Sequence, residues 1–134
     1  MDLVVDANIV MSTLISAEGK TCDLIFNDRL KLFAPEFLLD EIEKHKEEIL
    51  SKSALSESEF KLLLSLVFSR IEIIPLSEFQ KFVGSAEEIT PDPNDTEYFA
   101  LALRLNCAIW TNDKKLKGQD KIKIHSTTEL IRLL

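Results

Sequence analysis

Leu3-Val4-Val5-Asp6-Ala7-Asn8-Ile9 is the stretch on which the fold turns. Three apolar residues run without alternation and stop at an acid, and a helix-compatible segment starts almost at once. An apolar run with no polar face suits a strand of a parallel sheet, buried on both sides by helices. Short apolar segments recur at Lys31-Leu32-Phe33-Ala34, Arg70-Ile71-Glu72-Ile73-Ile74, Ala108-Ile109-Trp110-Thr111 and Ile122-Lys123-Ile124, the second and last of these interrupted by Glu72 and Lys123. Five short strands are therefore predicted, with helical segments between them.

Residues 8–16 and 21–27 read as helices. Pro35 stands where a helix can open, since proline tolerates the first turn, and the helix predicted over 35–51 aligns Leu38, Ile42 and Ile49. Glu41 falls on the shoulder of that stripe. Ser56 with Glu59 and Ser126 with Glu129 have capping-box spacing. They open helices carrying Phe60, Leu63, Leu64 and Val67 in one case, and Leu130, Ile131 and Leu134 in the other. Residues 77–83 read as a short helix and 90–93 as a turn-rich loop. Asn94 or Asp95 then opens a helix through Phe99, Ala100, Ala102, Leu103 and Leu105. Strands alternating with helices predict one domain over residues 1–134, an α/β/α sandwich with a central, mostly parallel sheet of four to five strands.

A chain of 134 residues suits one domain that buries roughly two-thirds of its unfolded surface. Three glycines and four prolines leave no room for linkers, and no internal repeat is visible. The net charge of −7 is uneven: residues 104–134 hold seven Lys/Arg against three Asp/Glu, so that segment is +4 and the remainder −11. An acidic total argues against tight non-specific binding to nucleic acid. The basic excess follows Asp113 directly, at Lys114, Lys115, Lys117, Lys121 and Lys123, either as a solvated turn or as a patch for phosphate. Cys22 and Cys107 lack metal-ligand spacing and are expected to be reduced, buried thiols. The chain begins in a strand-like run without a basic leader, so no signal peptide is expected. The longest apolar stretch, residues 62–68, is too short to span a bilayer, which makes the cytoplasm the expected location.

In an open parallel α/β sheet the carboxyl ends of the strands border one crevice. Asp6, Glu41, Asp95 and Asp113 stand at strand ends or helix starts, so the fold can bring them together although the sequence scatters them. Two carboxylates about 4 Å apart repel by roughly 4 kcal/mol at an effective dielectric near 20, and a divalent cation relieves this. Each acid also has a plainer role. Asp6 and Asp95 could cap helices, Asp92 and Asp113 could serve turns, and Glu41 could be ordinary helix surface. His45 and His125 form no paired metal motif. No Gly-rich phosphate loop and no Gly-x-Ser-x-Gly elbow is present, which argues against nucleotide triphosphatases, dinucleotide enzymes and acyl transfer. A phosphoacceptor receiver domain fits poorly, because there is no adjacent acid pair after the first strand.

Taken in order, the acids resemble the PIN domain family. Val4-Val5-Asp6-Ala7-Asn8-Ile9 is similar to that family's strand-then-acid opening, with Asn two places after Asp. Glu41 matches its helical acid, with Glu36 and Asp40 as nearby competitors. Asp95-Thr96-Glu97-Tyr98-Phe99-Ala100-Leu101-Ala102 resembles its Asp-led, alanine-rich helix, and Thr111-Asn112-Asp113 its Thr/Ser-x-Asp close. The Asp-Pro-x-Asp form at Asp92–Asp95 looks nearest to a prokaryotic toxin–antitoxin branch. The resemblance implies an endoribonuclease dependent on Mg²⁺ or Mn²⁺, with Asp6, Glu41, Asp95 and Asp113 as its metal-site and catalytic acids. Asn8, Thr111 and Asp92 would support them, and Lys114, Lys115 and Lys117 would hold the RNA backbone. It further implies a small antitoxin protein partner and a homodimer, for which apolar residues of the 56–68 helix are the candidate interface. Rival expectations are a PIN-like interaction module that no longer cuts, and a nuclease for structured DNA or ribosomal RNA processing.

Overall fold

The computed structural model describes residues 1–134 throughout. Five strands form one sheet: β1 (Asp2–Val5), β2 (Lys31–Pro35), β3 (Ile71–Ile74), β4 (Ala108–Trp110) and β5 (Ile124–His125). Every pairing is parallel, in the spatial order β3-β2-β1-β4-β5. Eight helices accompany them: α1 (Ala7–Ile15), α2 (Lys20–Ile25), α3 (Phe37–Lys44), α4 (Lys46–Lys52), α5 (Glu57–Phe68), α6 (Val83–Ile89), α7 (Thr96–Leu105) and α8 (Thr127–Leu133).

From β1 the chain steps outward to β2 and β3, then returns across the sheet to β4 and β5. Right-handed crossovers in opposite directions put their helices on opposite faces. Accordingly α1 packs with α3, α4 and α5, whereas α6 and α7 pack together and α7 lies against β1 and β2. The result is the expected α/β/α sandwich. Its direction reverses between β1 and β4, the place where a doubly wound sheet opens a crevice at its strand ends.

The core fills from both layers, with Trp110, Tyr98, Phe60, Phe79 and Phe99 fully buried. Both capping boxes form: Ser56 and Ser126 each accept the amide of the Glu three residues on, whose side chain accepts their own amide. Asn106, at φ 52°, turns α7 directly into β4, a left-handed position that Asn tolerates better than most side chains. On α5, Phe60 and Val67 are core and Leu63 and Leu64 half-buried, while Leu62 and Leu66 are exposed. Cys22 is buried and Cys107 half-buried, both free, and burial pushes the Cys107 thiol up to about 11. No helix is long and apolar enough to cross a membrane.

Three elements differ from the sequence reading. Pro35 closes β2 opposite Ile74 instead of opening a helix, and the 35–51 segment breaks at His45 into α3 and α4. His45 sits at φ −101°, ψ 9°, between the helical wells, with its ring against Glu48 in the first turn of α4. Residues 77–83 are not one helix. Two 3₁₀ turns flank Phe79, which is drawn fully into the core, and the regular helix is α6 beyond them. The last strand is shifted from 122–124 to Ile124–His125, because the Gln119 amide binds both the N–H and the carbonyl of Ile122.

Candidate metal centre

Val5 lies opposite Trp110 in the β1–β4 ladder, so the next residue of each strand, Asp6 and Thr111, emerges side by side. The Asp6 amide donates to the Trp110 carbonyl at 3.1 Å. Asp6 occupies the N-cap position of α1, yet its side chain makes no cap bond. Its Oδ2 instead accepts from the Thr111 hydroxyl at 2.8 Å. Thr111 in turn accepts from the Asp113 amide at 3.0 Å, so one buried hydroxyl ties two acid-bearing segments together. Asp113 also serves its turn, Oδ1 accepting the Lys115 amide at 3.0 Å.

Asp92 and Asp95 divide the roles that the sequence left open. Asp92 caps the 3₁₀ turn Pro93–Asp95 by accepting the Asn94 amide at 3.0 Å. Asp95 stands at the N-cap of α7 without a side-chain cap bond, which leaves its half-buried carboxyl to the crevice. Glu41 is half-buried on α3 and accepts a hydrogen bond from the Tyr98 hydroxyl. Its competitors Glu36 and Asp40 are exposed, and Glu36 is engaged by the Leu76 amide at 3.3 Å. Tyr98 is the participant that sequence reasoning missed. Its bond runs to a different helix, so no spacing in the sequence signals it.

The charges couple. Burial foremost pushes the Asp95 carboxyl up to about 7, and Asp6, Asp92, Asp113 and Glu41 all push in the same direction. Asp6 is raised by burial and by Asp113, against the Thr111 hydroxyl and the Ala7 and Asn8 amides, which pull it down. Glu41 is raised by burial and by Asp6, while Tyr98, His45 and Lys44 oppose the rise. No Lys, Arg or His pairs with any of the four acids; the ion pairs all lie elsewhere. Nor do three of these groups close tightly enough to hold an ion between them alone. An oxygen-only, uncompensated donor set fits a hard cation that keeps several waters and takes one or two carboxylates directly.

Around this crevice the remaining expected residues are less engaged. Asn8 is exposed on α1. Lys114, Lys115 and Lys117 are exposed, but Lys117 is committed to an ion pair with Glu129. Lys114 lines an entirely polar hollow of about 290 Å³ with Thr111, Asn112 and Asp113. A larger hollow of about 750 Å³ contains none of the four acids, though Phe37 and Asn94 border both it and the smaller hollow at Glu41.

Fold and site together define a doubly wound α/β protein with an acidic crevice at its switch point. The family model of the PIN domain matches residues 4–132, and the chain belongs to that family. Solved structures with this fold include the following two. The crystal structure of VapBC2 from Rickettsia felis bound to a DNA fragment from their promoter is 19% identical, with TM-score 0.67 over 94% of this chain and 98% of that one. The crystal structure of PAE2754 from Pyrobaculum aerophilum is 18% identical, with TM-score 0.63 over 99% of this chain and 89% of that one. No curated protein sequence matches the chain.

Proposed function

We propose that the protein is a metal-dependent endoribonuclease that hydrolyses RNA phosphodiester bonds, and that it is the toxin of a type II toxin–antitoxin pair. The observation that carries the reading is the field at Asp95, where Asp6, Asp92, Asp113 and Glu41 all act on one carboxyl and no cation of the chain answers them. Family membership supports nuclease chemistry. Likeness to one chain of the VapBC2 structure supports a two-protein system.

In this reading Asp6, Asp95 and Asp113 hold Mg²⁺ or Mn²⁺, and Glu41 is a further ligand or the base that orients a water. The ion, when bound, supplies a more acidic water and neutralises charge on the scissile phosphate. Thr111 holds Asp6 Oδ2 by one hydrogen bond, and the carboxylate keeps lone pairs for a cation. A bound cation would favour the ionised form of Asp95, which burial and the neighbouring acids disfavour in its absence. Lys114 and Lys115 hold the RNA backbone as point charges, with Lys117 held back by Glu129. The antitoxin closes the crevice, an arginine opposite the carboxylates being the side chain best suited to them.

Asp6→Asn or Asp95→Asn abolishes RNA cleavage in Mg²⁺ or Mn²⁺ while the melting temperature of the metal-free protein holds or rises. Unchanged cleavage in those variants, or in excess chelator, overturns the assignment. Structured DNA run beside RNA decides between substrates, and a calorimetric Mn²⁺ titration without heat favours a silent interaction module. A homodimer would cover Leu62 and Leu66 of α5. Light scattering that returns only monomer at micromolar concentration removes that part of the reading.

A further inference from the structure

Tyr98 follows Asp95 by three residues on α7, and Glu41 follows Phe37 by four on α3, so each pair shares a helix face. The two faces meet. The Phe37 ring stands edge-on to the Tyr98 ring, with centroids 6.4 Å apart and planes at 61°. Tyr98 is 1% exposed, and its ring has no room to move aside. Its hydroxyl donates to Glu41 Oε1, and that is the only hydrogen bond between α3 and α7.

Glu41 without this contact would be a half-exposed helical glutamate with three rotatable bonds. Lys44 on the same helix and His45 at its end lie close enough to lower its pKa and offer it an alternative direction. A donor fixed by packing removes that freedom. With Oε1 engaged, Oε2 is left without a protein partner.

We propose that Tyr98 is a positioning residue for cation capture: its hydroxyl holds Glu41 in the one rotamer that faces Asp6 and Asp95. The inference rests on the reading of the four acids as a cation site. α7 thereby contributes twice, with one acid at its start and the anchor of a second acid a turn later. Partners that orient a ligand from behind are commonly worth about 10- to 100-fold in metal affinity.

The test uses Mn²⁺ alone, titrated calorimetrically into the metal-free wild type, Tyr98→Phe, Glu41→Gln and the double variant, with a melting curve for each. Tyr98→Phe keeps the ring and its Phe37 contact and removes only the hydroxyl. It is expected to weaken Mn²⁺ binding about tenfold. The double variant is expected to bind no more weakly than Glu41→Gln alone, since Tyr98 acts through Glu41. Wild-type affinity in Tyr98→Phe overturns the inference and leaves the metal site standing. So do losses that simply add in the double variant, or wild-type affinity in Glu41→Gln. A wild type that takes up no Mn²⁺ overturns the metal site itself, and the inference with it.

Discussion

Asp95 keeps its proton to about pH 7, whereas the ordinary value for this side chain is 3.8. Burial is the larger cause and the four neighbouring acids add to it. Between those two pH values the folded chain binds more protons than the unfolded one, so stability falls as pH rises through the window. The contribution is complete below about pH 4 and gone above about pH 7. Asp6 and Glu41 are raised as well and act with the same sign. His125, lowered by burial, acts with the opposite sign over part of this range, but the three raised acids together should make the metal-free wild type melt at lower temperature near pH 8 than near pH 5. Asp95→Asn should flatten this slope and raise the melting temperature at the alkaline end, at roughly 4 °C per kcal/mol for a chain of this length. Half exposure of the Asp95 side chain screens the repulsion and keeps the gain to a few degrees. Identical slopes in variant and wild type would show that neither burial nor the other acids raise the Asp95 carboxyl.

The β1 and β4 ends show how a register becomes a site. Opposite pairing of Val5 and Trp110 dictates that an acid and a hydroxyl emerge together, and the Thr111 hydroxyl then donates to Asp6 while accepting from the Asp113 amide. Thr111→Val preserves shape and leaves both partners unpaired at a buried position, a loss of about 1–3 kcal/mol. Thr111→Ser should restore most of it, and a urea midpoint unchanged in the valine variant would refute the clasp. Much of this was legible beforehand. Strands β1, β2 and β4 announce themselves as short apolar runs and β3 as an isoleucine-rich one around Glu72, and an acid just past β1, at the switch point, borders the crevice, whereas Glu36 just past β2 is exposed. What escaped has a local cause in each case. Gln119 replaces ladder bonds at Ile122, so the last strand begins later than its apolar pattern suggests. Only Val83, Ala86 and Ile89 mark α6, a stripe too thin to stand out beside Glu87 and Glu88. Tyr98 reads as one more core aromatic, because a hydroxyl bond to a different helix leaves no trace in spacing.

Across the whole molecule, the strand reversal gathers acids from positions as far apart as 6 and 113, in a chain already at −7. The basic segment after residue 113 offsets this only at one rim, and Lys117 is spent on Glu129. The metal-free fold thus carries a repulsion that no ion pair within the chain relieves, Lys44 and His45 acting only on Glu41, and cation binding is coupled to global stability. At Mn²⁺ 100-fold above its dissociation constant the coupling amounts to about 2.7 kcal/mol, which should appear as a higher melting temperature reversed by chelator. A chain this acidic also attracts Mn²⁺ loosely over its surface, and the two effects separate by their salt response. Loose attraction fades as the screening length falls to about 8 Å at physiological ionic strength, whereas a crevice site is screened much less. The shift should therefore survive physiological salt in the wild type and in Lys114→Ala, and vanish in the Asp6→Asn, Asp95→Asn double variant. An equal shift in that double variant would mean that the ion is held by diffuse surface charge, and the crevice would lose its claim to it.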